Sequence, residues 1–411
     1  MIKEKTSAQY LLSAPVIVAA LGYFVDIYDL LLFGIVRIPS LTELGLDEAA
    51  RSIEGASILN WQMSGLLIGG ILWGILGDKR GRLSVLFGSI ITYSIANFAC
   101  GFVQDVTLYK VFRFVAGIGL AGELGAGITL VSESLPKRLR AIGTSVVAGV
   151  GLLGAVAAYF TVELFSWRYA YFTGGGLGIL LLFLRIGVFE SGMFKAMKDF
   201  DGLKKGSLKY FFTDRDRLKL YLKCIGIGLP TWYVIGILAT FSNEFGKALH
   251  ITETVKPGLG VMWCYVGLAS GDLLSGLISY YLESRRKAVG VFMLFTMIGS
   301  IIYLYAGISN ATGLYIMCLW LGFGIGYWAM FVTIGAEQFG TNIRATAATT
   351  IPNMVRGTVV GMTTLYAALK PVVLELHAAA IVGLICFAIG FYCIITIPET
   401  HDRDLDFVEP D

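Results

Sequence analysis

Twelve apolar stretches follow one another along this 411-residue chain, most of them about 18 residues or longer and parted by short polar breaks. About 20 apolar residues cross the hydrocarbon core of a bilayer as a helix, and a helix satisfies its own backbone there. The pattern therefore predicts an all-α integral membrane protein. Composition agrees: 56% of residues are hydrophobic and 15% charged, too few polar groups to cover a soluble fold of this size. The 51 glycines suit close helix packing in lipid. A net charge of +3, with the basic residues in short loops, argues against a nucleic-acid partner.

Spans are predicted near 11–36, 55–77, 83–103, 107–132, 139–163, 169–188, 218–243, 257–281, 288–307, 311–336, 343–369 and 376–397. The longest break, 189–217, carries Lys195, Lys198, Lys204, Lys205, Lys209, Arg215 and Arg217. It divides the chain into an N-terminal six-helix bundle (1–188), a linker (189–217), a C-terminal six-helix bundle (218–398) and a tail (399–411). The first run is too long for a signal-peptide core and carries two aspartates, so it reads as a retained span. Lys and Arg collect in alternate loops, at Lys79/Arg80/Arg82, Lys137/Arg138/Arg140, the linker, Arg285/Arg286/Lys287 and Arg344. By the positive-inside rule both termini and the linker are cytoplasmic. The acidic 38–54 segment then faces outward.

An internal repeat supports two halves. Glu133-Ser-Leu-Pro-Lys-Arg-Leu-Arg140-Ala141 returns as Glu337-Gln-Phe-Gly-Thr-Asn-Ile-Arg344-Ala345, 204 residues later. Gly117-x-Gly119-x-Ala121 returns as Gly322-x-Gly324-x-Gly326. Parallel repeats of this kind build transporters around a central site. The six cysteines sit in or beside apolar runs without a C-x-x-C pair and read as packing residues. The three histidines are scattered, and no metal or cofactor site is expected.

Between the second and third spans lies Gly74-Ile-Leu-Gly-Asp-Lys-Arg-Gly-Arg82. Its spacing, G-x-L-x-D-x-x-G-R, resembles the loop between helices 2 and 3 of the major facilitator superfamily. Within that superfamily the chain is most similar to the metabolite:H+ symporter group, with sugar porters as near neighbours. Gly22-x-x-x-Asp26-x-Tyr28-Asp29, Arg113-x-x-x-Gly117-x-x-x-Ala121-Gly122-Glu123, Gly271-Asp272 ahead of Gly276, Arg185…Glu190-Ser191…Phe194 and Pro398-Glu399-Thr400 carry this likeness. Ala121 and Ala141 stand where glycine is common, and the matching loop of the second half lacks its aspartate. The resemblance implies an alternating-access transporter in which a helix 1 acid and a helix 4 arginine couple transport to protons.

The residues point the same way. An Asp, Glu or Arg within a span costs roughly 2.5–3.5 kcal/mol on insertion scales, so each is a functional candidate. Asp26 and Asp29 share one face of the first span, and Arg113 descends the fourth to a similar depth. An Arg113–aspartate pair that breaks during transport would capture a proton. Glu123, about three turns below Arg113, is a second proton-site candidate. Arg356 stands ~20 Å from the inner end of its span, where its repeat counterpart is apolar. A guanidinium there suits an anionic substrate. Tyr28, Trp232, Tyr233, Tyr327 and Trp328 fall mid-span and supply aromatic surface with polar tips. Asn60, Gln62 and Asn353 are weaker candidates. At the cytoplasmic face, Gly74, Asp78, Arg82, Glu133 and Arg140 would form an inner gate, with Glu337 and Arg344 as its counterpart and Asp78 accepting hydrogen bonds at a helix N-terminus.

The expected function is proton-coupled uptake of a small organic metabolite across a bacterial inner membrane. The substrate is expected to be anionic or zwitterionic, of carboxylate type, carboxylate siderophores included. The expected partners are that substrate, protons and the bilayer, with the protein acting as a monomer. A proton-driven exporter is the rival in the same fold. Exporters of that kind usually carry proline in a glycine-rich fifth helix, and Gly149-x-Gly151-x-x-Gly154 has none. A transport-inactive sensor is the rival from another class; no nucleophile–base pair or metal cluster suggests an enzyme.

Overall fold

A computed structural model describes residues 12–80, 82–123, 135, 140–188, 211–212, 214–340 and 343–401. The described residues are helical apart from turns and caps. In chain order the helices are α1 (Ala14–Glu43), α2 (Glu48–Arg80), α3 (Arg82–Gly101), α4 (Val106–Leu120), α5 (Arg140–Leu164) and α6 (Trp167–Val188). The second half has α7 (Arg215–Tyr233, continuing as a π-helix over Val234–Ala239), α8 (Pro257–Leu282) and α9 (Arg285–Tyr305). It continues with α10a (Ala311–Gly324), α10b (Trp328–Glu337), α11a (Arg344–Gly357), α11b (Val359–Val373) and α12 (Glu375–Thr396). Among the described residues eight spans are long and apolar enough to cross a membrane on their own. The other four, α2, α3, α4 and α11, complete the twelve and are shorter, interrupted or more polar.

Within the first half α1 packs on α5, α2 on α4 and α3 on α6; within the second α8 packs on α10a and α7 on α12. The halves meet where α5 faces α8, α2 faces α11 and α1 faces α8. These seams hold the site.

The repeat seen in sequence returns in space. Asp105 caps α4 by accepting from the Leu108 amide at 2.9 Å, and Asn310, 205 residues on, caps α10a by accepting from the Gly313 amide at 2.7 Å. Gly117 lies against the α2 backbone so closely that a Cβ would come 2.2 Å from the Gln62 carbonyl oxygen. Its counterpart Gly322 would come 1.9 Å from that of Cys264 on α8. Only glycine permits either approach.

Three boundaries differ from the sequence expectation. The first helix runs on through Arg37 to Glu43, because Arg37 is buried and paired rather than exposed in a loop. The second begins at Glu48, seven residues earlier than expected. The tenth span is interrupted at Ile325–Tyr327, where the glycines let α8 press in. A Cβ on Gly326 would lie 2.4 Å from Gly271 Cα.

Candidate functional site

Four acids and three arginines meet in the membrane-embedded centre: Asp26 and Asp29 on α1, Glu123 just past α4, Asp272 on α8, and Arg113, Arg185 and Arg356. All but Asp272 are fully or almost fully buried, and one Asp272 oxygen is also shut off from solvent. A buried charge must be paired and hydrogen-bonded or neutralised.

The first-half arginines are provided for within their own half. Arg113 donates to Asn97 Oδ1 at 3.0 Å, to the Asp29 main-chain oxygen at 3.0 Å and to Gln62 Oε1 at 3.3 Å, and lies over the Tyr171 ring. The expected Arg113–aspartate carboxylate pair is thus corrected: neutral acceptors and a main-chain carbonyl take the guanidinium. Arg185 grips Glu123 in a two-point ion pair, Nη1 to Oε2 at 3.1 Å and Nη2 to Oε1. Gly22 makes room for it, since a Cβ would stand 2.4 Å from Arg185 Nη2 and 2.5 Å from Glu123 Oε1. Sequence reasoning noted Arg185 only as part of a motif and left Glu123 without a partner.

Arg356 differs. Its Nη2 lies 3.7 Å from Asp26 Oδ2 across the interface between the halves, within ion-pair range but too long for a hydrogen bond. Its Nη1 reaches Asn353 Oδ1 only at 3.4 Å, and its Nε is buried without a partner. Asn353 is itself anchored to the first half through the Ala121 carbonyl at 2.8 Å. The guanidinium lies 5.9 Å from the Trp232 ring and 6.0 Å from the Trp328 ring. The two indoles meet edge to face at 6.4 Å, and Trp232 Nε1 is also unpartnered. Both carboxylate oxygens of Asp26, and both of Asp29, are buried without a hydrogen-bond partner. Unused donors, unused acceptors and aromatic walls thus converge around Arg356.

The structure brings Arg356, Trp232 and Trp328 together and commits the three tyrosines elsewhere. Tyr28 donates to the Ala170 carbonyl at 2.9 Å, Tyr233 to that of Ala379 at 3.0 Å and Tyr327 to that of Ile227 at 3.2 Å. Their hydroxyls tie helices within one half in this conformation.

At the face expected to lie inside, Gly74, Asp78, Arg82 and Arg140 fall on helical backbone whose side chains lie outside the described residues, and Glu133 lies outside them altogether. The second-half counterpart is in view. Glu337 forms an ion pair with Arg285 of α9, while Arg344 donates to the Phe339 carbonyl at 3.2 Å. Glu399 caps α9 by accepting from Ser284 and from the Arg285 amide at 3.1 Å. Burial works against its charge, but these donors outweigh it and hold the carboxyl below its ordinary value.

The face expected to lie outside carries a network that sequence reasoning missed. Arg37, fully buried at the end of α1, crosses to the second half and donates to Glu244 Oε1 at 3.1 Å, Asn243 Oδ1 at 2.7 Å and the Thr240 carbonyl at 3.1 Å. Glu244 also accepts from Lys370 at 2.9 Å and from Ser52 at 3.0 Å. Lys247–Glu48 and Lys256–Glu163 add pairs between the halves. Beside this closure a cavity of about 850 Å³, lined by Ser57, Asn60, Ser64, Thr363, Tyr366 and Lys370 among others, follows the α2–α11 seam. Arg37 carried no signal in sequence, because it stands at the end of an apolar run where any interfacial anchor would stand.

Two helical repeats packed face to face, with unsatisfied charges on the seam and polar locks at its end, define a membrane transporter. Known proteins agree. The chain belongs to the Major Facilitator Superfamily, whose family profile matches residues 19–373. It is 28% identical over 410 residues to a putative metabolite transport protein of Haemophilus influenzae, covering 94% of this chain and 96% of that one. It is 24% identical to a gentisate transporter of Corynebacterium glutamicum, covering 81% of this chain and 76% of the other. Among solved structures it superposes on the proton:xylose symporter XylE with a TM-score of 0.72 over 98% of both chains, at 16% identity, a likeness of fold. The chain is therefore a transporter of a small molecule, not an enzyme.

Proposed function

We propose that the protein is a proton-coupled importer of a small organic carboxylate with a planar, aromatic skeleton. It works in a bacterial inner membrane with both termini, the 189–217 linker and the 399–411 tail cytoplasmic. One observation carries this reading: Arg356 stands across the seam from Asp26 at 3.7 Å, incompletely satisfied and walled by Trp232 and Trp328. A guanidinium between two indoles offers a carboxylate its two-point partner and an aromatic ring its stacking surface. The gentisate carried by the Corynebacterium relative has this chemistry.

Coupling follows from charge. A proton on Asp26 releases Arg356 to take the substrate carboxylate, and the bound carboxylate in turn replaces Asp26 as the anion beside Arg356. Proton and substrate thus favour each other's binding. Unit charges at about 4 Å interact by roughly 4 kcal/mol at an effective dielectric of 20, enough to couple the two sites strongly. Arg37–Glu244 closes the outer side in this conformation, and the pairs around Asp78 would close the inner side in the opposite one.

The test is uptake of gentisate into proteoliposomes with an acidic exterior, beside hydroquinone, which lacks the carboxylate. Accumulation of gentisate that collapses with the pH gradient, and none of hydroquinone, is expected. Equal transport of both compounds would overturn the anion reading, and accumulation indifferent to the gradient would overturn coupling.

A further inference from the structure

Asp272 takes no part in the exchange between Asp26, Arg356 and substrate. It lies on α8, in the second half, and touches neither Arg356 nor Asp26 by a hydrogen bond. Its Oδ1 accepts from the Ala329 amide at 3.0 Å, and the Trp328 amide points to the same carboxylate. These are the first amides of α10b, whose own N-cap residue, Tyr327, has no short polar side chain to cap them. Asp272 is therefore the cap of α10b, supplied from another helix.

The backbone explains how it reaches. Gly271 and Gly326 lie in main-chain contact: a Cβ on Gly271 would sit 2.3 Å from the Phe323 carbonyl oxygen, and one on Gly326 would sit 2.6 Å from the Asp272 amide. Two glycines bring α8 into the interruption of α10 and leave the next residue, Asp272, facing the exposed amides. Trp328, the first residue of α10b, starts from this cap and forms one wall of the Arg356 site. Gly65 and Gly69 meet Phe114 and Ile118 as Gly267 and Gly271 meet Leu319 and Phe323, so the repeat counterpart of Asp272 is Gly70, which has no side chain to cap with.

We infer that Asp272 is a positioning residue that fixes Trp328 against Arg356 and thereby sets the preference for aromatic carboxylates over aliphatic ones. Resting on the proposed function, this adds a specificity determinant that makes no contact with substrate. An indole held near a guanidinium contributes a cation–π attraction of its own and a fixed plane for a ring to stack on. Released from its cap, α10b loses a helix-terminal bond and Trp328 loses its register. Asp272 Oδ2 is buried without a partner, so a direct role as a proton carrier is the competing reading, and the test must part the two.

Asp272→Asn keeps an acceptor oxygen for the amides and removes the titratable group, whereas Asp272→Ala removes both. Binding of gentisate and of fumarate, an aliphatic carboxylate, is measured for both variants by equilibrium dialysis. In parallel, tryptophan emission is recorded from a protein retaining only Trp328. Asp272→Ala is expected to lower gentisate affinity about tenfold, to spare fumarate, and to red-shift Trp328 emission with or without ligand. Asp272→Asn is expected to resemble the wild type in both readouts and in gradient-driven uptake. Unchanged emission and an unchanged gentisate preference in Asp272→Ala would overturn the inference. So would loss of gradient-driven uptake in Asp272→Asn with exchange intact, which would make the residue a proton carrier. Emission needs no substrate, so a wild type that binds neither acid would refute the proposed function while leaving the positioning of Trp328 separately testable.

Discussion

Arg185 in the first half and Arg356 in the second are both buried arginines beside a carboxylate, yet they are held in opposite ways. Arg185 has a two-point partner within its own bundle, Glu123, in a space kept open by Gly22. Arg356 looks across the seam at Asp26 from 3.7 Å, beyond hydrogen-bond range, while an unpartnered Nε is common to both arginines. A satisfied pair inside one half moves with that half and stores nothing for transport. An unsatisfied pair between halves is sensitive to a ligand, a proton and the rocking motion alike. The difference separates charges that build a bundle from charges that do work between bundles.

The sharpest way to break this contrast is to remove one arginine at a time. Arg185→Ala leaves Glu123 buried and unpaired and should cost about 3–5 kcal/mol of stability, read as a large drop in the thermal unfolding midpoint in detergent. Arg356→Ala should leave that midpoint far less changed and weaken gentisate binding by about 2–5 kcal/mol, measured by equilibrium dialysis. If the two variants exchanged these effects, the division between structural and working charge would be wrong.

Gly22→Ala sharpens the same contrast with a smaller probe. Its methyl group meets the Arg185–Glu123 pair and should cost about 1–3 kcal/mol without changing the substrate preference of the folded protein. The outer lock gives the smallest effect. Arg37 and Lys370 outweigh burial and hold Glu244 below its ordinary value of 4.5. A depressed carboxyl stabilises the closed form above its ordinary value and gives that stability up as pH falls through its lowered one. The lock should therefore stay shut from neutral pH down to about 4.5 and loosen only in stronger acid. Amide hydrogen exchange around Arg37 and Glu244, corrected for its intrinsic pH dependence, checks this: protection should fall below that range and not at pH 6.

Much of this was legible in the chain. The apolar runs announced the membrane helices, and Arg356 stood out because a lone arginine in a span is expensive. Pairing was not legible, because it depends on which helices touch. Arg113 and Asp29 share a depth, but the Asn97 and Gln62 amides take the guanidinium that the carboxylate was expected to hold. Tyr28, Tyr233 and Tyr327 read as site residues from their depth alone, while their orientation turns each hydroxyl to a backbone carbonyl. Arg37 and Glu244 are 207 residues apart, and nothing local in either segment marks the contact. Asp272 lay in a motif without a role until the interruption of α10 showed which amides it faces.

The direct test of coupling at the seam is Asp26→Asn in proteoliposomes, with gentisate counterflow and pH-driven accumulation measured on one preparation. Asparagine leaves Arg356 without a competing anion and removes the proton site. Counterflow should persist while accumulation against a concentration gradient disappears. Accumulation at the wild-type level in Asp26→Asn would contradict a coupling proton at Asp26.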